Sequence, residues 1–195
     1  MEASQPSDGQ LIERVRGGNL EALGELYERY RTQVFRVALA ITRDPAAAED
    51  VLQEAFLKVN QYAERIDTNV PLGPWLYRVT VNLSCSWTSR SNRWLVSIEG
   101  LIDRLIAPPQ NSPEPCAESN EVQRTVQAAV DRLPEGHRVV VVLYYLAECS
   151  LKDIADILGC PVGTVKSRLH YARETLRDAL EGSAALFPEV VYEPV

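Results

Sequence analysis

The chain has 195 residues and a formal net charge of −7, with 46% hydrophobic residues. That composition supports real apolar cores and excludes a disordered chain; the acidity excludes a protein that coats nucleic acid non-specifically. No apolar run approaches membrane-span length, and MEASQPSDGQ lacks a basic region followed by an apolar core, so the expected location is the cytoplasm.

In chain order, residues 8–17 (DGQLIERVRG) read as a short helix stopped by Gly17-Gly18. Asn19 is a plausible N-cap for a long helix to about Thr42, whose apolar positions recur every three or four residues from Leu20 to Ile41. Asp44-Pro45 ends it. A third helix, about 46–65, buries Ala48, Val51, Leu52, Ala55, Phe56 and Val59 and displays Glu49, Asp50, Gln53 and Glu54. By itself that polar side reads as a solvated acidic face.

Residues 66–73 have loop chemistry, and Pro74 opens a fourth helix to about Arg90. Its aromatic residues Trp75, Tyr77 and Trp87 accompany Arg78, Asn82 and Arg90, with no acid between Pro74 and Arg93. Aromatics beside bases suit the stacking of unpaired nucleotides, and equally suit core filling. From Ser91 to Val122 five acids face two bases, with a possible short helix near 98–106 and a Pro/Ser/Asn stretch at 107–117. This reads as a flexible acidic linker, 91–118, between two small all-α domains, 1–90 and 119–180, with a tail at 181–195.

The second domain opens with helices at about 120–132 and 135–146. The run Val139–Leu146 is β-branched enough for a strand, but nothing else in the chain could pair with it, so it reads as helix. Ser150 to Leu180 then forms two helices around a tight turn. Ser150 and Asp153 fit a capping box, Gly159 a left-handed helix end, and Pro161 the start of the second helix. That helix buries Val165, Leu169, Ala172, Leu176 and Leu180. Between Pro161 and Arg177 it carries Lys166, Arg168, Arg173 and Arg177 against one acid, Glu174. A local excess of positive charge in an acidic chain points to phosphates, and the pattern is a helix-turn-helix.

The four cysteines, Cys85, Cys116, Cys149 and Cys160, contain no CxxC pair, so free thiols and no metal or cofactor are expected. No Gly-rich phosphate loop, nucleophile elbow or metal-ligand spacing is present, which argues against an enzyme. A stand-alone helix-turn-helix regulator is the alternative from the residues alone.

Three blocks carry a family resemblance: AEDVLQEAFLKV (48–59), WLYRVTVN (75–82) and LGCPVGTVKSRLHYARETL (158–176). In this order they resemble bacterial RNA polymerase sigma factors of the sigma-70 family, the extracytoplasmic-function (ECF) group that keeps sigma domains 2 and 4. The resemblance implies a promoter-specificity subunit with core RNA polymerase, promoter DNA and an anti-sigma factor as partners, acting in a stress or extracytoplasmic response. It implies core-polymerase contacts at Glu49, Asp50, Gln53, Glu54 and Phe56. It implies −10 element contacts at Trp75, Tyr77, Arg78, Asn82 and Arg90, and −35 contacts at Pro161, Thr164, Lys166, Ser167, Arg168, His170 and Arg173. One departure stands out: Ser86 occupies a place where the family often has an acid.

Overall fold

The structure, a computed structural model, describes residues 5–97 and 117–181, with side chains described for 5–90 and 125–178. The expected short helix near 98–106, the 107–117 stretch and nearly all of the tail lie outside the described residues. Among the described residues there is no strand, and the fold is all-α.

In the first half, α1 (Asp8–Arg16) starts from a capping box between Ser7 and Gln10, two otherwise orphaned amides being satisfied reciprocally. The Asn19 side chain accepts the Ala22 amide at 3.0 Å and opens α2 (Leu20–Thr42). Arg43 ends α2 in the left-handed conformation, φ 60°. The next residue, Asp44, caps α3 (Pro45–Tyr62) through the amides of Ala46 and Ala47. A 3-10 turn at Ala63–Arg65 follows, and then α4 (Leu72–Ser97).

α4 begins two residues before the expected Pro74 and runs seven past Arg90. Its start has a distant cause. The Leu72 amide donates to the Asp8 carboxylate at 3.1 Å, so the cap comes from 64 residues upstream. Pro74 is tolerated in the first turn because the amide it lacks would have had no intrahelical acceptor. Leu11, Ile12 and Val15 of α1, Leu26 and Val34 of α2, Phe56 and Val59 of α3, and Leu72 and Leu76 of α4 close one core.

The second half comprises α5 (Ala117–Arg132), α6 (Glu135–Tyr145), α7 (Leu151–Leu158) and α8 (Val162–Glu181). Val139 to Leu143 are all buried although they lie on every side of α6. A helix that is apolar all round must be enclosed, and α6 packs against α2, α7 and α8. Burial at about 1.5–3 kcal/mol per large aliphatic side chain outweighs the few tenths that each β-branched residue costs a helix.

The cores of the two halves are not separate. Val37, Ala40 and Ile41 of α2 and Tyr77 and Val81 of α4 join Leu133, Val140, Leu143, Ile154, Val165 and Leu169 in one cluster. Two polar contacts accompany it: the Arg78 guanidinium donates to the Asp156 carbonyl oxygen, and Arg43 donates to that of Asp131 at 3.4 Å.

Candidate functional site

On α3 the helical period separates two roles. Glu49, Asp50, Gln53 and Glu54 are exposed along one side, while Ala48, Val51, Leu52 and Ala55 are buried on the other. Phe56 turns inward and is 6% exposed, its ring meeting Tyr27 edge to face with centroids 5.0 Å apart. It therefore supports the face from beneath. Sequence reading missed Leu57, which is 64% exposed one turn beyond Gln53 and Glu54. A single exposed aliphatic is ordinary on a protein surface; Leu57 matters here only because it shares one side of α3 with the acids, and the apolar spacing of α3 alone had no place for it. A shallow pocket between α2 and α3, lined by Tyr27, Arg31, Phe35, Glu49, Leu52 and Gln53, borders this face.

On α4, Arg78, Asn82, Ser86 and Arg90 are exposed at intervals of four, so they form one stripe. Trp75 is half-buried against the first core. Tyr77 is 8% exposed and belongs to the shared core. Burial pushes its hydroxyl pKa up to about 12, with Cys149 and Glu148 of the α6–α7 loop adding to the shift.

In the helix-turn-helix both halves of the Ser150–Asp153 capping box are present, and Gly159 ends α7 at φ 61°. Pro161 stands one residue before α8, and its carbonyl oxygen accepts the amides of Thr164 at 2.9 Å and Val165 at 3.3 Å. Val165, Leu169 and Ala172 anchor α8 to the core. Lys166, Ser167 and His170 are exposed, and Thr164 is half-buried. Ser167 donates to the Gly163 carbonyl oxygen at 3.0 Å, leaving its lone pairs outward.

Two arginines of α8, Arg168 and Arg173, are held against the scaffold. A Cβ built on Gly136 of α6 would lie 3.6 Å from the Arg168 guanidinium carbon, so Arg168 lies over that glycine. Arg173 Nε donates to the Tyr145 hydroxyl at 2.9 Å, and the guanidinium sits 5.3 Å from the centroid of Tyr144. Sequence reading also missed Tyr171, which is 53% exposed beside His170, its ring 4.6 Å from that of His137.

Three surfaces thus emerge: an acidic face with one apolar residue, a basic and amide stripe on a long helix, and a cationic helix-turn-helix. The order matters, and so does the match to known sequences. The profile of Sigma-70 region 2 matches residues 26–94, and that of Sigma-70, region 4 matches residues 123–176. The chain is 32% identical over 176 residues to the ECF RNA polymerase sigma factor SigW of Bacillus subtilis (strain 168), covering 87% of this chain and 94% of that protein.

This chain is an ECF sigma factor of the sigma-70 family.

It is also 31% identical to the ECF RNA polymerase sigma-E factor of Haemophilus influenzae, over 92% of this chain and 98% of that one. Among solved structures, CnrH in complex with the cytosolic domain of CnrY shares the fold at a TM-score of 0.66 and 24% identity, covering 91% of this chain and 99% of that chain. The sigma factor RpoE from Bartonella quintana, solved with the anti-sigma factor NepR, gives 0.62 at 22% identity, covering 80% and 97%. As a sigma factor the chain is an RNA polymerase initiation factor and not an enzyme. No helix among the described residues is long and apolar enough to cross a membrane.

Proposed function

We propose that this sigma factor, acting in the cytoplasm, docks on core RNA polymerase through α3 and reads a promoter at two separated elements. Residues 1–90 serve core binding and the −10 element, and residues 119–180 the −35 element. Glu49, Asp50, Gln53, Glu54 and Leu57 form the docking surface, with Phe56 holding it from below. Acids and an amide around an apolar centre favour a partner of opposite charge, steer its approach and leave one side chain to be desolvated.

At the −10 element Trp75, Tyr77, Arg78, Asn82 and Arg90 handle single-stranded DNA. Unstacking a base costs a few kcal/mol, offset by stacking on an aromatic ring and hydrogen bonds in a protein pocket. At the −35 element α8 enters the major groove with Lys166, Ser167, His170 and Tyr171 foremost. Arg168 and Arg173, with Thr164 and Pro161 at the entrance, line the flanks, where phosphates pass. An anti-sigma factor covering the α3 face would keep core polymerase away until a stress signal arrives; support comes from the anti-sigma complexes in which relatives of this fold have been solved.

The observation that carries the reading is the division of charge. In an acidic chain of net charge −7, Pro161 to Arg177 carries Lys166, Arg168, Arg173 and Arg177 against one acid, Glu174, and no acid lies between Pro74 and Arg93, as suits a subunit that relies on a larger enzyme for most of its grip on DNA. The test is run-off transcription on genomic fragments with purified core polymerase, with and without the protein. Discrete new start sites sharing two upstream elements are expected. Tight duplex binding by the free protein without any new start would overturn the proposal in favour of a stand-alone regulator.

A further inference from the structure

α6 supports side chains of α8 at both of its ends. Its last residue, Tyr145, holds Arg173 by a hydrogen bond. At its first turn two adjacent residues meet two more of α8. Gly136 lies under Arg168, and the His137 ring lies 4.6 Å from the Tyr171 ring, the planes 50° apart. Arg168 and Tyr171 are three positions apart, so they share one side of α8. The atoms nearest to a Cβ built on Gly136 all belong to the Arg168 guanidinium: Cζ at 3.6 Å, then Nε and Nη1 at 3.8 Å. Among the described residues no hydrogen bond or ion pair engages that guanidinium or the Tyr171 hydroxyl. Packing alone directs both groups, and their polar atoms remain for a ligand.

We infer that Gly136 and His137 are positioning residues for the −35 readout, acting on DNA through Arg168 and Tyr171. The inference rests on the −35 assignment made under Proposed function. An arginine or tyrosine on an open helix surface samples several rotamers, and binding must then immobilise one of them. A neighbour that already restricts the side chain removes part of that cost before DNA arrives.

The two contacts serve different parts of the readout. Tyr171 is 53% exposed, with His137 against one part of its ring. It can therefore offer the rest of the ring and its hydroxyl to a base edge from a fixed direction. Base contacts carry specificity, so loosening this pair changes which sequence is preferred. Arg168 is half-buried along α6, and a phosphate contact holds any sequence equally well. Loosening it weakens all sequences alike. Gly136 acts through its size. A methyl group there would make ordinary contact with the guanidinium, so alanine fits, whereas a longer side chain would need the space that the guanidinium fills.

The test uses holoenzyme, the full chain on core polymerase, with promoter fragments that share one −10 element. The −35 element is varied one base pair at a time, and each fragment is titrated across a salt series. Tyr171→Ala is expected to lose roughly 5-fold of discrimination at one base pair. His137→Ala should lose discrimination at that same pair, and the double variant should lose no more than Tyr171→Ala alone. His137→Phe, which keeps a ring, should retain it. Gly136→Leu should bind every sequence more weakly and lower the slope of log affinity against log salt by about 1, as Arg168→Ala does. Gly136→Ala should leave that slope unchanged. Discrimination and slope do not depend on the fraction of protein that is folded, so partial misfolding imitates neither result. If His137→Ala keeps full discrimination where Tyr171→Ala loses it, or Gly136→Leu keeps the slope where Arg168→Ala lowers it, the positioning role is overturned and the −35 assignment stands. If Tyr171→Ala and Arg168→Ala change neither readout, the −35 assignment falls and takes this inference with it.

Discussion

The Tyr145 hydroxyl accepts a hydrogen bond from Arg173 Nε at 2.9 Å, fixing a cation of α8 by way of the last residue of α6. Under the −35 assignment proposed above, this bond orients the Arg173 guanidinium toward a phosphate. Tyr145→Phe removes the acceptor and keeps the ring. The donor is a cation, and hydrogen bonds to charged groups are worth about 1.5–3 kcal/mol, less at an exposed site such as this one, so holoenzyme affinity for −35 duplex should fall roughly 2- to 10-fold. Arg173→Ala should also lower the slope of log affinity against log salt by about 1. Fluorescence anisotropy across a salt series measures both, and an unchanged slope would remove Arg173 from the phosphate contacts.

The docking face proposed on α3 makes a different prediction. Leu57 is 64% exposed, so Leu57→Ala should leave the melting temperature within the small range of surface substitutions. Its affinity for core polymerase should nonetheless drop by about 1–2 kcal/mol, as for an anchor at the centre of an interface. Gln53→Ala and Glu54→Lys should weaken the same complex. Wild-type affinity in all three variants would sink the assignment of α3.

Asp8 predicts the acid limb of stability. Burial raises its carboxyl pKa, but bonds from Tyr30, the Leu72 amide and Arg29 outweigh that and hold it below its ordinary value of 3.8. The Tyr30 hydroxyl and the Arg29 guanidinium each reach it at 2.5 Å. Because the folded state binds this proton less readily than the unfolded state, the stabilisation is present above about pH 4 and is lost as pH falls through the folded value. Asp8→Asn should cost about 2 kcal/mol at neutral pH and flatten the decline in melting temperature below pH 4. A parallel decline in both proteins would mean that other carboxylates govern acid unfolding.

The thiols should be quiet. Burial pushes Cys85 up to about 12, helped by Glu135, and Cys149 up to about 11, so neither is a thiolate at neutral pH. Since the thiolate is the nucleophile, alkylating reagents at pH 7 should modify both far more slowly in the folded chain than after denaturation. Mass spectrometry of timed quenches reads this directly; rapid modification of Cys149 would show that its burial does not protect it. On the alkaline side the sign is opposite to that of Asp8. The unfolded chain releases these protons near pH 9 while the folded one keeps them, so stability falls as pH rises beyond that point.

Two glycines should respond in opposite directions. A Cβ on Gly9 would lie 2.2 Å from the Thr68 carbonyl oxygen, which is backbone and cannot swing aside. Gly9→Ala should therefore destabilise by about 1–3 kcal/mol. Gly24 has nothing within 4 Å of such an atom and lies inside α2. Gly24→Ala should stabilise by up to about 1 kcal/mol through helix propensity. Thermal melts of the two variants decide both.

What was legible in the sequence was local. The Ser150–Asp153 box, the Gly159 turn and the Asn19 cap each rest on residues within four positions, and each appears in the structure as read. The acidic side of α3 follows from helical period in the same way. What escaped was set by distant neighbours. The start of α4 depends on Asp8, which no window around Leu72 contains. Tyr77 and Trp75 look alike as aromatics near a loop, yet one enters a core shared with α6 and α7 and the other stays partly open. The tilt of Arg168 over Gly136 is likewise a property of helix packing and not of spacing.

The Asp8 carboxylate has a further effect on how nucleic acid can approach. The start of a helix ordinarily attracts anions, because its free amides and the helix dipole both present positive charge. At α4 that position is taken: a carboxylate from α1 already receives the first amide and supplies the negative charge. A DNA phosphate arriving at the tip of α4 would find the first amide already bonded to a carboxylate that Arg29 also holds. Under the −10 assignment proposed above, a strand would then meet the flank of the helix, where Asn82, Ser86 and Arg90 stand in line. On that assignment, an acid that caps a helix of the first half would also set the direction from which the promoter strand comes.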